Sequence, residues 1–330
     1  MNPQLAVMAM IRGGVFTRAD ARACGYPDPD IDSLLDTGGW RRIRPGTYAA
    51  RRTLTLVTDE VLHLRKVYRV LRSSGPAVFA SHQSAAALHA LPLWGLDLSR
   101  VHVTAPYGRS GCVGGVHRHI RDPVGPGIQI WNRLRMVSPA RAVVEVAATS
   151  PPAPAVVLTE AALYAGLVTS RSLKRAVTDH GNERAVKTIS RAGLESASVA
   201  ESRLRLILAD AGLPAPSSAP PPDPDAPDST GSGTASSPGL TDALWFPDER
   251  TVIEFEPRFP FWCEESEPDE ESAATVAAPD PTAPEPLEHC WITWADLDDP
   301  RLVVDRVRAS FTRASRRTGV RHFDLARARM

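Results

Sequence analysis

Three groups of residues in this 330-residue chain have types and spacings that could do chemistry. The first is Asp242, Glu254 and Glu256. Alternating stretches, 240–246 and 251–256, flank the turn Pro247-Asp248-Glu249-Arg250, which predicts a hairpin with Asp242 and Glu254 meeting at one end. A period of two puts Glu254 and Glu256 on one face. Carboxylate oxygens are hard ligands suited to Mg²⁺, with Asp242 and Glu254 as its ligands, and such an ion could activate water and stabilise a cleaving phosphodiester. The second group is a run of arginines, Arg41, Arg42, Arg44, Arg51 and Arg52, whose density suits phosphate contact better than ribbon packing. The third is His82, His89, His102, His117 and His119. On a strand His117 and His119 share a face and could reach one ion. No carboxylate or cysteine stands beside them at ligand spacing, so with Arg118 and Arg121 they read as a basic surface able to touch phosphate.

The arginine run is positioned by strong local signals. Thr17 and Asp20 are spaced as a capping box, predicting a helix over 18–24 that Gly25 ends. Tyr26-Pro27-Asp28-Pro29 is a stiff turn, and a second helix over about 30–37 places Ile31, Leu34 and Leu35 on one face before Gly38-Gly39. Trp40–Arg44, Pro45-Gly46 and 47–50 then form a hairpin. Helix, turn, helix and basic ribbon read as a winged helix-turn-helix, with Ser33 and Asp32 nearest the base edges. Asp28, Asp30, Asp32 and Asp36 would repel phosphate from the second helix, leaving DNA contact mainly to the ribbon. The pattern VFTRADARACG … LLDTGGWRRIRPGTYAA resembles the N-terminal domain of AbiEi-type antitoxins, the DNA-binding repressors of type IV toxin–antitoxin systems. That resemblance implies double-stranded DNA as a partner, with a cognate toxin and a homodimer as further partners.

Downstream, a helix over about 56–72 joins this head to a body in which SHQSAAALHALPLWG, VHVTAP, GVHRHI and LRMVSPARAVVEVA follow in order. Ser81 and Ser138 are good N-caps, and Pro139 sits where a first helical turn accepts proline. This order is similar to the second domain of the same family. From Glu201 an amphipathic helix, the carboxylate hairpin and WITWADLDDPRLVVDRVRASF resemble the Vsr-like branch of the PD-(D/E)XK endonucleases. The resemblance implies Asp242, Glu254 and Glu256 as the catalytic acids and Glu201 as a supporting one. Glu256 occupies the expected lysine position, Pro257 follows it, and an acidic run replaces the next helix.

The expected fold class is mixed α+β: a winged helix-turn-helix at 1–55, a central α/β body at 56–195, and a restriction-endonuclease-like α/β domain at 196–330 with disordered insertions at about 214–239 and 263–288. Hydrophobic content is 43% and no apolar run reaches the roughly 18 to 20 residues that span a bilayer. The first helix, 3–11, reads as part of the head rather than a leader, so the expected location is cytoplasmic with no membrane partner. Four dispersed cysteines suggest buried free thiols. Net charge is zero, but residues 1–150 carry 19 Lys+Arg against 10 Asp+Glu, and residues 201–330 carry 13 against 24. The front can meet a polyanion that the back repels. The preferred reading is a DNA-binding regulator with an inactive nuclease-like tail. The alternatives are a Mg²⁺-dependent Vsr-like endonuclease aimed by the head, and an acidic tail that docks on a basic partner or mimics DNA.

Overall fold

The structure is a computed structural model that describes residues 2–12, 14–50, 58–121, 127–131, 134–193, 196, 198–217, 243–255 and 287–318. The chain divides into two compact units, 1–194 and 195–330, both mixing helix and sheet. No helix among the described residues is long and apolar enough to cross a membrane.

The first unit opens with α1 (Pro3–Ile11), β1 (Phe16–Thr17), α2 (Arg18–Ala23), α3 (Asp28–Asp36), β2 (Trp40–Arg44) and β3 (Thr47–Ala50). The capping box at Thr17 and Asp20 forms. Asp20 is buried and also accepts hydrogen bonds from Arg12 and from the Thr17 hydroxyl at 2.6 Å, tying the end of α1 to the start of α2. The three strands pair antiparallel in the order β1-β3-β2, and Gly46 takes the left-handed turn position at φ +72°. Leu5, Ala9, Phe16, Ala21, Cys24, Ile31, Trp40 and Tyr48 form one core. Phe16 meets Trp40 edge-on at 4.7 Å between ring centres, a favoured aromatic geometry.

The unit continues with α4 (Asp59–Ser73), β4 (Phe79–Ala80), α5 (His82–Leu88), β5 (Val101–Ala105), β6 (Gly111–Val113), β7 (Val116–Ile120), β8 (Ile128–Trp131), β9 (Leu134–Val137), α6 (Pro139–Thr149), α7 (Pro152–Tyr164), α8 (Ser170–His180) and α9 (Glu183–Ile189). Six strands lie in the order β6-β7-β5-β4-β9-β8. Strands β5 and β7 run parallel, with His102 opposite His117 and Thr104 opposite His119, so these four side chains share one face. Helix α6 is buried from Arg141 to Ala147 and packs on α5, α7, α8 and α9.

Buried His63 and half-buried His89 lock this body in a protonation-dependent way. His63 Nδ1 donates to the Leu98 carbonyl at 3.0 Å and its Nε2 meets Ser84 Oγ at 3.1 Å, while His89 Nε2 donates to the Val137 carbonyl at 2.7 Å. Burial, above all other causes, lowers both below the ordinary value of 6.5. The unfolded chain therefore binds more protons below pH 6.5, so stability falls as pH falls, by at most about 1.4 kcal/mol per pH unit for each group. Unfolding midpoints measured from pH 8 to pH 5 should drop in the wild type and drop less steeply in His63→Gln. Equal slopes would show that His63 is not one of the groups responsible.

The second unit holds α10 (Val199–Asp210), β10 (Ala243–Phe246), β11 (Thr251–Phe255), β12 (Glu288–Ile292), a short 3₁₀ turn (Asp296–Asp298) and α11 (Pro300–Thr318). Strands β10 and β11 are antiparallel, and β11 and β12 parallel. Val303, Val307 and Phe311, four apart on α11, enter a core with Leu204, Leu208, Phe246 and Ile253, while Leu302 is exposed. The expected insertions lose their edges to the fold. Ser217 N–H donates to the Trp245 carbonyl at 2.7 Å, and Glu288 opens β12; residues 218–239 and 263–286 lie outside the described residues. Cys24 and Cys290 are buried, whereas Cys112 is exposed on β6, contrary to the expectation of a buried thiol. Cys263 lies outside the described residues.

Candidate nucleic-acid interface

Helix α3 turns Ile31 into the core and leaves Ser33 exposed. Two of its four carboxylates are neutralised from α2. Arg18 Nε lies 2.7 Å from Asp28 Oδ1 and its Nη2 2.8 Å from Asp32 Oδ1, and Arg22 Nη2 lies 2.7 Å from Asp28 Oδ2. Hydrogen bonds from Arg18 and then Arg22 hold Asp28 below the usual carboxylate range. The repulsion expected of Asp28 and Asp32 is thus reduced, and Asp32 is committed to Arg18 rather than presented to a base. Asp30 and Asp36 remain exposed on the same helix.

Beside α3, the ribbon β2–β3 exposes Arg41 and Arg42, and neither has an ion-pair partner among the described residues. Trp40 pairs with Ala50, Arg41 with Ala49 and Arg42 with Tyr48, before an irregularity between Arg42 and Arg44. With Leu35, Gly38 and Trp40 these two arginines line an open depression. Arg44 lies in β2 opposite Thr47. Arg51 and Arg52 lie outside the described residues. An exposed ribbon with unspent guanidinium groups can bond phosphate oxygens, while Ser33 can donate to or accept from a neighbouring polar edge.

Of the acids singled out in the tail, Asp242 and Glu256 lie outside the described residues. Glu254 stands opposite Ala243 on β11, and its Oε1 is 3.1 Å from His289 Nδ1. Glu201 sits in the first turn of α10, where its N–H donates to Ser198 Oγ at 3.1 Å. The arginines of α11 are not simply a solvated face. Arg313 Nε reaches Glu288 Oε1 at 2.6 Å, Arg317 joins the same carboxylate, and Arg306 Nη1 is 2.6 Å from Asp296 Oδ2. The pattern of α11 alone could not reveal these partners, which belong to β12 and the 3₁₀ turn.

The histidines depart furthest from expectation. Instead of a basic surface, His82 is buried at 6% exposure and His102 and His119 are half-buried. His119 is stacked between His82, at 4.0 Å between ring centres, and His117, at 4.2 Å. Sequence reasoning also missed the carboxylate behind them: Glu145 on α6 accepts from Arg141 Nε at 2.8 Å and from the His82 backbone N–H at 3.1 Å. Its i, i+4 spacing from Arg141 was visible, but its burial was not.

Residues 8–51, which contain nearly all of this head, match the family model described as a transcriptional regulator, AbiEi antitoxin. No curated protein matches the chain. Among solved structures, it is similar to the crystal structure of the RV2827C protein from Mycobacterium tuberculosis, with 16% identity over 60% of this chain and 78% of that one, at a TM-score of 0.30.

Proposed function

We propose that this protein is a transcriptional regulator of the antitoxin kind that holds duplex DNA with its N-terminal head. In this reading the head is a winged helix-turn-helix: α2 and α3 form the helix pair, and β2–β3 is the wing. The observation that carries it is the coincidence of the family match at residues 8–51 with the exposed Arg41 and Arg42 beside α3. These two bond phosphates together with Arg44, Arg51 and Arg52, and Ser33 is the side chain on α3 best placed to meet a base edge. The Arg18 and Arg22 pairs with Asp28 and Asp32 support this, because they lessen the negative charge that α3 would bring to a phosphate backbone. The antitoxin part of the match favours a cognate toxin as the protein partner.

The tail serves as a framework in this reading, since Glu254 is engaged by His289. A gel-retardation assay with duplexes tiling the region upstream of the protein's own gene tests both parts, run with and without Mg²⁺. Some of these duplexes should be retained intact in both lanes, and Arg41→Ala/Arg42→Ala should weaken that retention. Failure of the wild type to retain any duplex at about 50 mM salt would overturn the regulator reading. Shortened DNA confined to the Mg²⁺ lane, and lost in Asp242→Ala, would instead support a nuclease using Asp242, Glu254, Glu256 and Glu201.

A further inference from the structure

We propose that His82, His102 and His119 form a binding site for a divalent transition-metal ion of the zinc class, with Glu145 and Arg141 as its supporting layer. One ring nitrogen from each of the three histidines lies within 4.8 Å of the other two, and among the described residues no other group of three or more His, Cys, Asp or Glu side chains converges this closely. A tetrahedral ion about 2.0–2.1 Å from each nitrogen holds its ligand atoms about 3.4 Å apart. His102 Nδ1 and His119 Nε2 already stand 3.0 Å apart. A donor set made only of imidazole favours zinc, copper or nickel over magnesium, which prefers oxygen.

The surroundings match what such a site requires. His82 Nδ1 is 3.1 Å from Ser81 Oγ and 3.4 Å from Glu145 Oε2, which leaves Nε2 for an ion and supplies the carboxylate that orients a metal-bound imidazole. His82 is also held in the left-handed region at φ +51°, an arrangement non-glycine residues rarely adopt and one that gathers at functional sites. The Glu145 carboxylate fixes it there by accepting its backbone N–H. Burial first, and then the neighbouring histidines, lowers all three rings: His102 to about 3, His119 to about 4, and His82 well below 6.5.

Gln83 sets the resting tautomer of His102. Its Nε2 donates to His102 Nε2 at 3.0 Å, so His102 carries its proton on Nδ1 and aims it at His119 Nε2. The Gln83 Oε1 atom, on a residue 4% exposed, has no hydrogen-bond partner among the described residues. Coordination through His102 Nδ1 moves the ring proton to Nε2. A half-turn of the Gln83 amide then lets Oε1 accept it, in exchange for the present bond to the Asp97 carbonyl. Three protein ligands leave a fourth position for water or a ligand, on the side where His102 and His119 are half-exposed.

The test is titration of the chelator-stripped full chain with Zn²⁺ by calorimetry, with Co²⁺ as a spectroscopic probe. The expected result is one ion per chain, a raised Tm and the visible bands of tetrahedral Co²⁺. His119→Gln should weaken binding by about 100-fold or more, whereas His289→Gln, in the other unit, should leave it unchanged. Absence of saturable binding would overturn the proposal, as would binding undiminished in His119→Gln. If His119→Gln fails to fold, the wild-type Co²⁺ spectrum decides, and a spectrum of octahedral water-like Co²⁺ rejects the site.

Discussion

Glu145→Ala will destabilise the N-terminal unit by roughly 3–5 kcal/mol, the range for breaking one side of a buried ion pair. Glu145 is 4% exposed and Arg141 2% exposed, so neither charge has water to fall back on. The carboxylate accepts from Arg141 Nε at 2.8 Å and from the His82 N–H at 3.1 Å, and its removal strands a buried guanidinium and a buried backbone donor together. Removing both charges at once should be far milder: Arg141→Met/Glu145→Leu fills similar volume with apolar groups and leaves no orphaned ion. Urea unfolding of the two variants separates the explanations. If the single and double changes cost the same, the loss comes from packing on α6 rather than from an uncompensated charge.

Phe16→Ala should cost about 3–5 kcal/mol and abolish DNA retention without touching a basic residue. Phe16 is 0% exposed and joins the core to the ribbon through its edge-on contact with Trp40 and a tilted one with Tyr48 at 6.4 Å. It pairs with Tyr48 across β1 and β3, so a cavity here loosens the base of the ribbon that carries Arg41 and Arg42. Circular dichroism and gel retardation on the same preparation check this. Retained DNA binding despite a lost thermal transition would mean that the head is not the DNA-contacting part.

The head was legible because its signals are local. The Thr17–Asp20 capping box, the helix at Pro3–Ile11 and the Pro45-Gly46 turn each depend on residues a few positions apart, and each forms where the spacing indicates. Ser138 likewise caps α6, accepting from the Arg141 N–H. Helix α3 starts at Asp28, ahead of the expected position, because Pro29 is accommodated in the first turn, where its missing N–H costs nothing. What sequence could not supply is contact between distant strands. Strands β6 and β9 are short and lack clean alternation, and β9 is defined by its partners β4 and β8.

The same limit hid the histidine cluster. His82 follows β4, His102 lies on β5 and His119 on β7, so only the order β7-β5-β4 brings them together. His117 and His119 share a face, as the period of two requires, but His119 pairs with His102 and stacks on His82, partners that strand spacing cannot reveal. On α3 the carboxylates read as a bare negative surface. Arg18 and Arg22 reach them only because the Tyr26-Pro27 turn folds α2 against α3.

The most direct test of the regulator account is the salt dependence of duplex binding by the wild type and by Arg41→Ala/Arg42→Ala. Each phosphate contact contributes about −0.9 to the slope of log K against log salt. The wild-type slope should be steep and that of the double variant shallower by about 1.8, with an unchanged Tm. Identical slopes for the two proteins would contradict the regulator account, because Arg41 and Arg42 would then hold no phosphate.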